Sequence, residues 1–156
     1  MTTYLGSGDE SRRNTEYQPE WLSNLADDVT LEASVMSGIA RGPQAVKDIL
    51  GFARTLYDYQ EFIEIGEFGA NGFAEDYVAR VIGEPIGNVV VIRRNEAGQT
   101  SGIVISHRPL RSVLLWSRLM YNHFRGTQYE KYFVTPDATV IDALIEANEA
   151  RQAARR

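Results

Sequence analysis

The chain has 156 residues, 44% of them hydrophobic and 24% charged, with a formal net charge of −5 and no cysteine. That length suits one domain with a real core, and the acidic balance argues against nucleic acid as a partner. The missing thiols exclude disulfides, thiolate metal sites and cysteine nucleophiles, and two histidines (His107 and His123) are too few for a multi-histidine zinc site. Met1 to Arg13 has no apolar core of the kind a secretory signal needs, and no run reaches the roughly 18 to 20 apolar residues of a membrane span. A soluble, cytoplasmic chain without a membrane partner is expected.

Residues 1–15 are polar and read as a flexible N-terminus. Pro19 to Ala26 predicts a short helix with Trp21, Leu22 and Leu25 on its apolar face, stopped by Asp27 and Asp28. Val29 to Met36 alternates with period two, so Val29, Leu31, Ala33 and Val35 share the buried face of a strand. Gly42 and Pro43 open a helix over residues 43–57, in which Val46, Ile49, Leu50, Ala53 and Tyr57 recur at helical spacing. Gln60 to Phe68 reads as a strand, residues 69–72 as a turn, Phe73 to Ile82 as the next strand and Gly83 to Gly87 as a second turn. The clearest feature is a hairpin from Asn88 to His107, two β-branched strands joined by a polar turn in which Gly98 supplies a positive φ. Leu110 to Phe124 is apolar around most of its circumference; helix is the expectation, with strand as the alternative, and it must be covered on more than one side. Residues 126–133 form a tyrosine-rich loop. Thr135 caps a final helix with the stripe Val140, Ile141, Leu144 and Ile145, ending in an arginine tail (Arg151, Arg155, Arg156) that reads as solubilising.

This order predicts an α+β fold in which a curved antiparallel sheet wraps helices and leaves a conical cavity. Leu25 to Glu32, followed by Gly42 to Leu50, resembles the opening of the nuclear transport factor 2-like superfamily, and the Val89 to Gly98 hairpin is similar to that superfamily's closing strands. The likeness spans about Tyr17 to Leu110. It implies a cystatin-like, NTF2-like domain over residues 16–134, with 1–15 and 135–156 as flanks. The superfamily includes ketosteroid isomerases, SnoaL-like polyketide cyclases and limonene epoxide hydrolases. Carried over residue by residue, the isomerases' general-base aspartate falls on Ala33 and their acidic oxyanion donor on Val90, so the usual ketosteroid isomerase chemistry lacks both groups. His107 stands where the isomerases place a pocket tryptophan. Asp76 and Arg80 offer a poor match to a hydrolase constellation, since their parity points outward.

The same alignment and parity place Ala33, Val90, Ile92, Arg94, Ile103, Ile105 and His107 towards the cavity, with Phe73, Glu75, Tyr77 and Ala79 on the more apolar parity of the preceding strand. His107 is then the candidate acid/base, Glu75 its orienting carboxylate and Tyr77 a donor to a carbonyl or epoxide oxygen. Tyr57, Val90, Ile92, Arg94, Ile105, Ala33 and Trp116 are the candidate ligand-binding set. Blander readings stand beside these: His107 as a satisfied core histidine, Glu75 with Arg94 as a solvated cross-strand pair, Tyr57 and Tyr77 as core, Trp116 as packing or dimer contact, and His123 as surface. Two functions follow. One is a SnoaL-like pocket protein for an apolar polycyclic or terpenoid-like molecule, with cofactor-free isomerase, cyclase, dehydratase or hydratase chemistry as the enzymatic version. The other is a non-catalytic domain for homodimerisation or protein interaction. No phosphate-binding glycine loop, metal motif or nucleophile elbow is present, so no cofactor is expected.

Overall fold

Alternating apolar residues build the sheet, and the 3.6-residue stripes build the two helices that cover it. A computed structural model describes residues 5–133 together with 143, 146, 147, 149, 150, 153 and 154. Six strands, β1 (Leu25–Ala33), β2 (Ala40–Arg41), β3 (Tyr57–Phe68), β4 (Gly72–Val81), β5 (Glu84–Arg94) and β6 (Thr100–Arg108), lie in the order β2-β1-β6-β5-β4-β3. Helices α1 (Pro43–Thr55) and α2 (Leu110–Phe124) pack on one face, α1 against β1 and α2 against β5 and β6. This is the expected α+β architecture. Its sheet is mixed, because β1 runs parallel to β6 while the other strand pairs are antiparallel. The parallel pair follows from topology: β1 reaches β6 only after the whole α1–β5 excursion, a crossover that a tight hairpin does not allow.

Cross-strand register turns sequence parity into rows on the concave face. Phe73, Ile92, Ile103 and Leu31 form one row, Glu75, Val90, Ile105 and Ala33 the next, and Phe62, Tyr77, Asn88 and His107 a third. Leu31, Ile92 and Ile103 are fully buried and anchor the core. Register shifts interrupt β1, β3 and the β5–β6 pair, which bend the strands as bulges do. The hairpin and both long helices form where the periodicity puts them, except that α1 ends at Thr55 and Tyr57 opens β3 in place of closing the helical stripe, and Gly98 takes φ 75° in the Asn95–Gln99 connection.

Four local expectations are corrected. The helix expected from Pro19 is a single 3-10 turn, Glu20–Leu22, and β1 already begins at Leu25. Asp27 and Asp28 do not stop a helix; they protrude from an irregularity in β1, where six residues (Leu25 to Thr30) oppose three of β6 (Thr100 to Gly102). The turn placed at residues 83–87 is a two-residue turn at Ile82 (φ 53°) and Gly83 (φ 73°), and Pro85 already pairs with Arg80 inside the sheet. The N-terminal segment is fastened from Ser7 onward: Ser7 donates to Glu61 Oε2 through its N–H at 3.0 Å and its hydroxyl at 2.9 Å, Arg12 lies 2.7 Å from Glu61 Oε1, and Asn14 N–H reaches Gln60 O at 2.7 Å. Leu110–Phe124 is a helix, as expected, and buries Val113, Trp116, Met120 and Phe124. The cap at Thr135 and the stripe Val140, Ile141, Leu144 and Ile145 lie outside the described residues. Among the described residues no helix is long and apolar enough to cross a membrane.

Candidate functional site

The concave face encloses a cavity of about 60 Å³, bounded by the sheet rows, α1, α2 and the segment from Tyr17 to Leu22. A water needs roughly 10–15 Å³ of such space, so the cavity holds a few waters, whereas drug-sized ligands occupy pockets of roughly 300–1,000 Å³. Most of the wall is aliphatic and aromatic. Of the sequence-derived candidates, Ala33, Tyr57, Glu75, Tyr77, Val90, Ile105, His107 and Trp116 line it. Ile92 and Arg94 do not. Ile92 is fully buried in the row below, and Arg94, beyond the β5–β6 register shift, turns to Glu67 at 3.0 Å and lies over the Phe73 ring.

Glu75 is the carboxylate of this cavity. It projects from the centre of β4 and is only 2% exposed. Both of its hydrogen bonds land on one oxygen: Tyr17 donates its hydroxyl to Oε1 at 2.8 Å and Trp21 donates its indole N–H to the same atom at 2.9 Å. Burial pushes the Glu75 carboxyl above its ordinary range, and the two donors and the Arg54 charge only partly offset this. The same two bonds fasten the Tyr17–Leu22 strap over the cavity. Arg54 completes the fastening through Gln18 Oε1 at 2.7 Å and the Tyr17 carbonyl. Thr100 adds a bond to the Trp21 carbonyl at 2.8 Å.

Next to Glu75, two phenols meet. Tyr57 and Tyr77 share one O···O contact of 3.0 Å, and burial raises the pKa of both, that of Tyr77 to about 12. Two hydroxyls carry two protons, and a single contact uses one of them. The other has no acceptor among the described residues, so the pair presents a spare O–H donor at the cavity wall. Glu75 and Tyr77 lie two residues apart on one strand face, with their Cα atoms about 7 Å from each other.

The expected His107–Glu75 dyad is not assembled. The two residues belong to different rows of the sheet, and no hydrogen bond joins them. His107 instead packs edge-on against Trp116 with ring centroids 4.9 Å apart, and its Nδ1 is buried without a partner. Burial alone lowers its pKa to about 4. The side-chain atoms of Asn88 and Nε1 of Trp116 are likewise buried without partners. Each such orphan costs about 1–3 kcal/mol.

Sequence reasoning missed Tyr17, Trp21, Arg54 and Asn88. For the first two a signal existed: Glu75 is an isolated acid on the apolar parity of β4, and a buried acid needs donors from somewhere. Among the described residues no group of three or more His, Cys, Asp or Glu is placed to hold a metal ion.

The His107 environment yields a signed pH dependence. An ordinary histidine titrates near 6.5 when unfolded, so acid favours the unfolded chain as pH falls from 6.5 towards 4, by up to about 3 kcal/mol at 1.36 kcal/mol per unit. The His107 imidazole is expected to remain neutral at pH 5 in an NMR titration, and His107→Phe should flatten the loss of Tm over that window. A midpoint near 6.5 contradicts this environment.

No protein-family model matches the chain, and no curated protein matches it. Solved structures do. An uncharacterised bacterial protein with a cystatin-like fold from Silicibacter pomeroyi superposes with a TM-score of 0.63 at 20% identity, over 68% of this chain and 74% of that one. A steroid delta-isomerase from Pseudomonas aeruginosa gives 0.62 at 16% identity, over 72% and 81%. A de novo designed protein with a curved β-sheet gives 0.53 at 17% identity, over 70% and 90%. At these identities the likeness is one of fold. The chain has a cystatin-like fold.

Proposed function

We propose that this protein binds a small, uncharged, largely apolar carbonyl compound in the concave cavity and moves a proton on it without a cofactor, as an isomerase- or lyase-type catalyst. The observation that carries the reading is Glu75: a carboxyl held above its ordinary pKa in an apolar cavity, beside a tyrosine pair with an unused donor proton. The superposition on a steroid delta-isomerase supports the fold side of the reading only.

The step is simple to balance. Glu75 takes a proton from the carbon next to the carbonyl, the C–H electron pair becomes the new C=C bond, and the C=O pair moves onto oxygen. The spare tyrosine O–H donates to that oxygen as its charge grows, which stabilises the enolate more than the ketone. Glu75 then returns the proton to the same or a conjugated carbon. A shared strand face lets one substrate reach both groups, its carbonyl oxygen at the tyrosine pair and the neighbouring carbon at Glu75. A raised carboxyl pKa strengthens Glu75 as a base, whereas a histidine near 4 is a weak one. His107 therefore yields the acid/base role to Glu75. A polycyclic ligand exceeds about 60 Å³, so its entry requires the Tyr17–Leu22 strap to move aside.

Exchange of α-protons tests this directly. Incubated in D2O with acetone or cyclopentanone, the protein should accelerate deuterium incorporation over buffer, and Glu75→Gln should lower that acceleration by about 100-fold or more. Exchange no faster than buffer, or unchanged in Glu75→Gln, sinks the reading.

A homodimer is the second reading, and one observation favours it. Helix α2 leaves Leu114, Leu115 and Leu119 half-buried and Leu110 72% exposed. Sedimentation should show a dimer that Leu115→Asp dissociates; a monomer at high concentration contradicts it.

A further inference from the structure

Two side chains on the Trp116 side of the cavity, and a third behind them in the sheet, carry polar atoms that nothing among the described residues satisfies. Asn88 is fully buried, yet neither Oδ1 nor Nδ2 has a partner. Its direct neighbour in the sheet, His107, buries an unpaired Nδ1, and Trp116, edge-on to His107, buries an unpaired indole N–H. Buried polar groups are nearly always satisfied, and two exceptions on the cavity wall, His107 and Trp116, with a third directly behind them at Asn88, are therefore informative. Elsewhere on the wall Glu75 Oε1 is held by Tyr17 and Trp21, and the two phenols share one contact that leaves a single hydroxyl proton over.

We propose that His107 and Trp116, backed by Asn88, form a second, uncharged polar subsite that receives a hydroxyl or second carbonyl oxygen of the ligand. This rests on the cavity reading above and narrows the ligand to a molecule with two neutral oxygen functions, one for the tyrosine pair and one for this subsite. The chemistry of the orphans selects the group. An indole N–H only donates, so the incoming atom must accept, which excludes an ammonium. A hydroxyl that accepts from Trp116 can donate to Nδ1 of a neutral His107, and a carbonyl can accept from both once the imidazole carries its proton on Nδ1. A carboxylate has no cationic partner at these three residues and would bring a second negative charge into the cavity that already buries Glu75. The subsite atoms are closed off from solvent in the ligand-free form, so the oxygen enters with a rotation of the His107 or Trp116 ring.

Xenon, acetone and hydroxyacetone, titrated into 15N-labelled protein, separate the possibilities. Xenon reports the cavity alone, acetone adds one oxygen and hydroxyacetone adds two. The readout is the pair of indole N–H resonances from Trp21 and Trp116, assigned with Trp116→Phe. All three probes should enter; hydroxyacetone should bind up to about tenfold tighter than acetone and shift the Trp116 signal downfield. The Trp21 signal, held by Glu75, should not follow. Trp116→Phe should erase the hydroxyacetone advantage and leave xenon binding intact, and His107→Phe provides the same comparison should Trp116→Phe fail to fold. Xenon and acetone binding with no gain from the second oxygen overturns the subsite and leaves the cavity reading standing. If none of the three probes enters, both are overturned.

Discussion

The hydrogen bonds from Tyr17 and Trp21 to Glu75 Oε1 are the contact on which the rest of this site depends. A carboxylate at 2% exposure on an apolar sheet face is costly unless donors reach it, and no neighbour in its own row supplies one, since Val90 and Ile105 are aliphatic. The donors come from the Tyr17–Leu22 strap, which closes the cavity by supplying them. One interaction thus settles two features together: the strap has a defined seat, and the carboxyl keeps a desolvated environment in which its pKa rises. Arg54 contributes at a distance. It binds the strap through Gln18 and the Tyr17 carbonyl, and its charge moderates the rise of the Glu75 pKa without forming an ion pair with it.

The sheet explains why these groups face one another. Side chains two apart on a strand share a face, and paired strands carry that face sideways. Glu75 and Tyr77 therefore open into the same space as Val90, Ile105 and His107, while α2 brings Trp116 down onto them from above. The rows also impose separation. His107 aligns with Asn88 and Tyr77, one row away from Glu75, so a histidine–carboxylate dyad is precluded by register and not by lack of the residues. The result is a cavity with a buried carboxyl at Glu75 on one wall and the polar side chains of Tyr57, Tyr77, His107 and Trp116 on another.

How much of this was legible in the sequence depended on whether a feature obeys local periodicity. The Asn88–His107 hairpin, α1 and the parity of Glu75 and Tyr77 are local properties, and the alternation places them without knowledge of their partners. Trp21, Leu22 and Leu25 carry helical spacing yet fold as one 3-10 turn followed by a strand, because Trp21 and Ala26 are drawn into the core and Thr100 takes the Trp21 carbonyl. Arg94 shares the parity of the cavity residues but lies beyond a register shift that no pattern of types announces. The orphaned atoms of Asn88, His107 and Trp116 are the least legible, since whether a buried polar atom has a partner is a property of the assembled neighbours. Fold class follows from pattern; the chemistry of the cavity follows from register and from a strap whose sequence reads as something else.

The measurement that bears most directly on this account is a 13C NMR titration of the Glu75 side-chain carboxyl, assigned by comparison with Glu75→Gln. Burial without a cationic partner at contact distance predicts a midpoint above the ordinary glutamate value of 4.5. A midpoint at or below that value means a solvated or ion-paired carboxylate, and it contradicts both the closed strap and the acid/base role built on it.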